Sequence, residues 1–304
     1  MPKIRRLWPD AFFVFDADNI LTKDYISKMN DALDSGVKVC TSYRNSKNYG
    51  TNWLSAGASL AFMRECKFIH KPKRILNMST HVSGTGFYVS KEVLSFKEGW
   101  KYVTLTEDLE FSTSNTLKGE KIGYCEDAIF YDEQPSKFKQ TWKQRARWSK
   151  GALMSFSLFH FSLASNFLKT LNFSYYDYYF SRLFPVGLYY GLMFITSGII
   201  QVISFALNLI SPSLSIFSYI LALPFVSSLI TTYLAMFVDG FLITVLEWKK
   251  IKAPVTKKIK YMFTYPVFMF TFGIPTVFYA LFKKVKWDHI DHTESVTQED
   301  LEKA

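Results

Sequence analysis

The spacing of hydrophobic positions changes character along the chain. Ala11-Phe-Phe-Val-Phe15 is a short unbroken apolar run that stops at Asp16-Ala-Asp18. Such a run between polar residues predicts a strand buried on both faces, as in a parallel sheet. Asp24–Leu33 has helical spacing, with Thr22 as its N-cap, and Val37–Ser42 returns as a strand. Asn52–Phe62 is helical and leads into a basic loop, Arg64–Arg74. Phe87–Val89 predicts a strand, Thr106–Leu117 a helix stopped by Gly119, and Lys121–Tyr124 and Ala128–Tyr131 two further extended pieces. Strands alternating with helices give an α/β class.

Past Pro135 the pattern changes. Ser136–Lys150 carries six Lys or Arg and no acid, a basic amphipathic stretch, and residues 151–182 are aromatic and weakly charged, which suits helices lying in a membrane interface. From Leu183 to Val238, 56 consecutive residues include no Asp, Glu, Lys or Arg. As helix they would extend roughly 84 Å, against a bilayer core about 30 Å thick. Two spans fit, Leu183–Ile210 and one within Leu214–Leu246, and a purely soluble protein is excluded. Tyr261–Phe282 contains Pro266, Gly273 and Pro275 and has lysines at both flanks, so it predicts either a third span or a re-entrant segment. The expected organisation is an α/β domain over 1–135, interfacial helices over 136–182, a membrane region of two or three helical segments over 183–286, and a polar tail over 287–304.

Charge refines this picture. Net charge is +10. Residues 1–150 carry 24 basic and 17 acidic side chains, whereas most basic residues of the second half flank apolar runs. Positive flanks of membrane helices account for the excess and put the α/β domain on the cytosolic side. No motif that reads nucleic acid accompanies it, so a nucleic-acid partner is not expected. Anionic lipid headgroups and a phosphate-bearing substrate fit the charge better. Cys40, Cys66 and Cys125 stand far apart without a CxxC pair, which argues against a zinc or disulfide framework and suits a reduced compartment. None of His70, His81, His160, His289 and His292 forms a ligand pair at helical spacing.

Four short motifs carry candidate chemistry. Asp16 and Asp18 close the first strand at the end where open α/β sheets bind ligands, and two carboxylates at i and i+2 can approach one Mg²⁺ or Mn²⁺. The same triplet also reads as a turn into the next helix. Ser83-Gly-Thr-Gly86 is a glycine loop that does not fit a P-loop, and by itself reads as a tight turn. Thr106-Glu107-Asp108 opens a helix, where Thr and acids suit the cap and the dipole. Asp108 is alternatively a general base. Gln144, Arg147 and Trp148 fall on one helical face and combine an amide, a guanidinium suited to pyrophosphate and an indole suited to a sugar ring. An interfacial helix with a Trp anchor gives the same pattern.

In this order, DAD, SGTG, TED and QRARW ahead of membrane helices resemble the processive family 2 glycosyltransferases, the membrane synthases of cellulose, chitin, hyaluronan and poly-N-acetylglucosamine. Glu133-Gln-Pro135 also looks like that family's pattern. The resemblance covers residues 11–290 and implies a GT-A-like, Rossmann-like nucleotide-sugar transferase domain in an integral membrane protein of the plasma membrane. It implies that Asp16 and Asp18 hold the divalent cation and the donor diphosphate, and that Asp108 is the general base. Gln144, Arg147, Trp148, Glu107 and the loop Ser83, Gly84, Thr85 and Gly86 would line the acceptor and pyrophosphate site. The reaction implied is inverting transfer from a nucleotide-sugar donor, of the UDP-sugar class, to a growing polysaccharide. Members of the family carry nucleoside-binding strands ahead of the DxD strand, and here fifteen residues precede Asp16. The expectation is therefore a partial domain, a fragment of the intact enzyme or one completed by a separate chain. The rival readings are a membrane scaffold or export component with a dead transferase domain, and a non-processive polyprenyl-phosphate sugar transferase.

Overall fold

The computed structural model describes residues 9–94, 100–183, 186–211, 215–288 and 296–303, so His289 and His292 lie outside the described residues. Five strands form one sheet: β1 (Ala11–Val14), β2 (Ile20–Leu21), β3 (Val39–Ser46), β4 (Phe87–Ser90) and β5 (Ile122–Asp132). Their order is β1-β4-β3-β5-β2. The sheet is mixed, which corrects the parallel arrangement expected from the apolar runs. β1 with β4, β4 with β3 and β2 with β5 are antiparallel, and β3 with β5 is parallel. An unbroken apolar run reports burial but carries no information on strand direction. Nor is β1 buried on both faces: it is an edge strand, and Val14 is 37% exposed. The two extended pieces near Tyr124 and Ala128 are one strand, β5, whose register against β3 shifts between Ser42 and Tyr43.

Helices cover both faces of the sheet. On one, α1 (Tyr25–Asp34) packs Tyr25 and Met29 against Cys40, Tyr88 and Phe130. On the other, Phe111 of α4 (Glu107–Leu117) meets Val39, Phe87, Val89 and Ile122. Beside it lies α2 (Trp53–Glu65), which starts at a reciprocal cap: Asn52 Oδ1 accepts from Leu54 N at 3.0 Å and Ser55 N at 3.2 Å, while Asn52 N donates to Ser55 Oγ at 3.2 Å. The expected basic loop Arg64–Arg74 is helical instead. α2 passes through a one-turn π-helix, Cys66–His70, into α3 (Lys71–Ile75). Its charges serve ion pairs: Lys67 with Glu247 at 3.0 Å, Lys71 with Glu126 at 2.8 Å and Lys73 with Asp177 at 2.5 Å.

The basic stretch and most of the expected interfacial region form a single 33-residue helix, α5 (Phe138–Thr170). After it come α6 (Phe173–Tyr178), a second π-helical turn (Tyr179–Leu183), α7 (Val186–Ile210), α8 (Ser215–Leu246), α9 (Val255–Gly273), α10 (Pro275–Phe282) and α11 (Gln298–Lys303). Among the described residues four helical segments are long and apolar enough to cross a membrane: Phe138–Thr170, Gly187–Ile210, Val226–Leu246 and Val255–Phe282. To the three apolar segments read from the sequence the structure thus adds α5.

The sheet and the apolar helices share a core. Ala56, Leu60 and Met63 of α2 pack with Ile243, Tyr261 and Tyr265, which belong to α8 and α9. This contact is close because α2 is built of small residues at the crossing, Ala56-Gly57-Ala58-Ser59. A Cβ at Gly57 would overlap the ring of Phe268 in α9. Gly57→Val is therefore expected to destabilise the fold by about 1–3 kcal/mol through overpacking. Thermal unfolding of the detergent-solubilised chain checks this, with Ala58→Val as the overpacking comparison in the same helix.

Candidate active site

The turn after β1 begins the site. Asp16-Ala-Asp18 does not continue the strand: Asn19 N donates to Asp16 O at 3.0 Å, so the segment turns back on itself. Strand alternation is therefore not what relates the two carboxylates. Asp16 is exposed and Asp18 half-buried. Around Asp18, Lys47 Nζ lies 3.6 Å from Oδ2 and donates to the Asp18 carbonyl at 2.7 Å, and Glu133 N donates to Oδ2 at 3.4 Å.

The glycine loop is bound to this turn. Thr85 Oγ1 accepts from Asp16 N at 2.9 Å and donates to Asn19 Oδ1, and Gly86 N donates to Val14 O at 2.9 Å. Gly84 and Gly86 have φ of +79° and +67°, where a side chain is strained, and a Cβ on Gly86 would also strike the ring of Phe130. The loop is held from below by Arg44, which donates from Nη1 to Ser83 O at 3.1 Å and from Nε to Asp132 Oδ2 at 2.9 Å.

Asp108 faces the same loop. A Cβ on Gly84 would stand 3.6 Å from Asp108 Oδ2. Burial, reinforced by neighbouring Glu107, raises the Asp108 carboxyl to about 6, against the opposing pull of the Leu109 N–H, Arg147 and Arg44. Thr106, expected as the side-chain cap of α4, makes no cap hydrogen bond. Its side chain instead meets α5 where Gly151 leaves room, and a Cβ there would overlap it. That close approach brings α5 to the start of α4 and puts Arg147 near Asp108. Trp148 meets the Phe62 ring edge-on at 5.8 Å, and the Arg44 guanidinium lies 3.7 Å from the centroid of that same ring. The buried Gln144 Oε1 accepts no hydrogen bond. The four motifs thus form one connected assembly, running from the turn through the loop to α4 and α5.

Several members of this assembly were not singled out from the sequence. Arg44 and Lys47 lie beyond Ser42, where the strand was expected to stop, and charged residues at the carboxyl end of a strand were the available signal. Arg145, between Trp148 at 4.6 Å and Phe268 at 5.1 Å, is in the sequence only one more charge of a basic stretch. A second polar cluster joins residues distant in sequence: Glu65, His70 and His81 bring one ligand-type atom each within 4.8 Å of one another. His81 Nε2 and Arg182 Nη2 both bond Glu65 Oε1, and His70 Nδ1 contacts the Thr80 hydroxyl. The Arg182 cation already neutralises Glu65 and opposes a metal ion there. Asp16 and Asp18 offer carboxylate oxygens, the donor type Mg²⁺ and Mn²⁺ take, with the Lys47 ammonium 3.6 Å from the Asp18 carboxylate.

Residues 11–274 match the profile of the glycosyl transferase family group 2. The chain belongs to that family. Curated relatives of this glycosyltransferase chain include a protein named "Probable glycosyltransferase" from Sulfolobus acidocaldarius, 27% identical over 47% of this chain and 31% of its own length. "Probable glucomannan 4-beta-mannosyltransferase 14" of Arabidopsis thaliana is 28% identical over 40% of this chain and 21% of its own length. "Beta-monoglucosyldiacylglycerol synthase" of Synechocystis is 25% identical over 47% and 30%. The matched part spans a third or less of these relatives' lengths.

The Glu65 cluster makes a stability prediction. Burial lowers His70 to about 3, whereas unfolded it titrates near 6.5, so between these values the unfolded chain binds the extra proton and stability falls as pH falls. Burial opposes ionisation of Glu65, yet Arg182 and His81 more than offset it and hold the carboxyl well below its usual range. Its contribution is present above the ordinary carboxylate value and is lost as pH falls through the lowered one, which is the same sign. The melting temperature is expected to drop from pH 7 to pH 4. Arg182→Met should cost about 3 kcal/mol at pH 7 by stranding Glu65. Thermal unfolding across pH reads both effects.

Proposed function

We propose that the chain carries out inverting transfer of a sugar from a nucleotide-sugar donor, of the UDP-sugar class, to a hydroxyl of a growing polysaccharide at the cytosolic face of the plasma membrane. The observation that carries this reading is the convergence of two acidic motifs on one glycine loop, with Arg147 and Trp148 of α5 closing the same assembly. An apolar helix bearing part of the site supports a reaction at the membrane surface.

Each side chain has a task in this reaction. Asp16 and Asp18 would hold Mg²⁺ or Mn²⁺, which when bound neutralises charge on the departing diphosphate. Arg147 supplies a guanidinium to the same phosphates. The acceptor oxygen forms a bond to the anomeric carbon as the bond to the diphosphate breaks, and Asp108 takes the acceptor's proton. A carboxyl near 6 is ionised at neutral pH and yet more basic than an ordinary aspartate, which suits that step. Trp148 offers a ring face to the acceptor sugar, and Gln144 adds an amide on the same side of α5.

A lipid hydroxyl as acceptor is the second reading, favoured by the apolar helices and by the printed name of the Synechocystis relative. Product length separates the two: a ladder of products indicates polymer and a single addition indicates lipid.

Membranes carrying the chain, incubated with a panel of radiolabelled UDP-sugars, test the reaction itself. The transfer rate should fall tenfold per pH unit below about 6 and level off above it. Asp108→Asn should lower the rate by about 10²–10⁴ while donor binding persists. Transfer at the full rate by Asp108→Asn would sink the base assignment.

A further inference from the structure

Between the first turns of α5 and the segment that follows α10 lies a recess of about 410 Å³, outside the assembly described above. Trp142, Tyr279 and Trp287 supply its rings, Lys143, Lys284 and Lys286 its ammonium groups, and Asp288 its carboxylate. Asp288 is paired with Lys143. Neither Lys284 nor Lys286 has an ion-pair partner among the described residues. Among the described residues that line it, three cations stand against one anion.

Its place in the fold decides what it takes. Trp142 and Ala146, one turn apart, give one stripe of α5 to the recess, and Gln144 lies about 200° round the helix from Trp142. The recess therefore opens on the other side of α5 from Gln144 and Trp148. It sits where the apolar segment Val255–Phe282 ends: Phe282 is 80% exposed, and the lysines begin at the next residue. Tryptophan and tyrosine rings with lysines at the end of an apolar helix match the depth of lipid headgroups. The neighbouring exposed Leu281 and Phe282 offer a path for acyl chains.

We propose that this recess binds the phosphate headgroup of an anionic phospholipid, with Lys284 and Lys286 on the phosphate and the rings at the glycerol level. The site is independent of the sugar-transfer reading and rests only on the apolar segment being in a membrane. A lipid held there fixes the depth of α5, the helix that also carries Gln144, Arg147 and Trp148.

The test uses the full 304-residue chain in a non-ionic detergent. Phosphatidylglycerol or phosphatidylcholine is titrated in, with bound lipid read by native mass spectrometry and thermal shift. The expected result is retention of phosphatidylglycerol and a raised melting temperature, with little effect of phosphatidylcholine. The double variant Lys284→Gln/Lys286→Gln should bind phosphatidylglycerol about 30-fold more weakly, from the usual contribution of two lysines near an anionic lipid surface. Its melting temperature in phosphatidylcholine should equal that of the unaltered chain, since both side chains are exposed. Lys249→Gln/Lys252→Gln, a change of equal charge on another flank, should keep the affinity. Unchanged phosphatidylglycerol binding in the first variant, or equal losses in both, would overturn the proposal. So would glycerol phosphate or inorganic phosphate matching the lipid's stabilisation, which would make the recess a soluble phosphate site.

Discussion

The structure depends on how α2 and its π-helical extension are held between the sheet and the apolar helices. This region touches Tyr43 and Tyr124 of the sheet and Ile243, Tyr261 and Tyr265 of α8 and α9 in one core. Around that core, three charged contacts span the same junction. Arg64 pairs with Asp239, Lys67 and Tyr43 reach the buried Glu247 at 3.0 Å, and Arg182 reaches Glu65. Each involves a partly or wholly buried carboxylate, so removing one cation strands a charge where solvent cannot compensate fully. Apolar packing supplies the attraction, and the ion pairs cross the same region at Asp239, Glu247 and Glu65.

That arrangement sets the geometry of the candidate site. Phe62 lies on α2, and it carries both the Arg44 guanidinium and the edge of Trp148. Arg44 in turn holds the glycine loop through Ser83 O. A shift of α2 relative to α9 would therefore reach the loop facing Asp108 through only two side chains. The π-helical turn contributes to the same end, because it sets the direction from which His70 meets His81 and closes the Glu65 cluster.

Local sequence carried much of this. The apolar run before Asp16, the stop at Gly119 and the uncharged stretch to Val238 each determine structure within their own neighbourhood. The order DAD, SGTG, TED and QRARW marked residues that the fold does connect. What escaped was non-local. β1 pairs antiparallel with β4, about 75 residues away, and nothing within Ala11–Phe15 encodes that direction. The basic run Arg64–Arg74 resembles a solvated loop because its partners, Glu126, Asp177 and Glu247, lie far along the chain. His70 and His81 are neither at helical nor at strand spacing, and only the fold makes them neighbours. Arg44 could have been noticed as a charge extending an apolar strand, but its bond to Asp132 could not.

The position of α5 links the candidate site to a long apolar helical segment. Its first turns carry Gln144, Arg147 and Trp148 and contact Thr106 through the gap at Gly151, while its remainder is apolar enough to enter a bilayer. Ser149 Oγ and Thr276 Oγ1 lie 2.9 Å apart and Lys150 Nζ donates to Ala280 O at 2.9 Å, so α10 is fastened to the same turns. A rigid helix transmits displacement along its axis with little loss, because its backbone hydrogen bonds must break before it bends sharply. A displacement of α5 along its axis is therefore felt at Arg147, whose charge acts on Asp108. The candidate site and the apolar part of the chain thus meet in one helix.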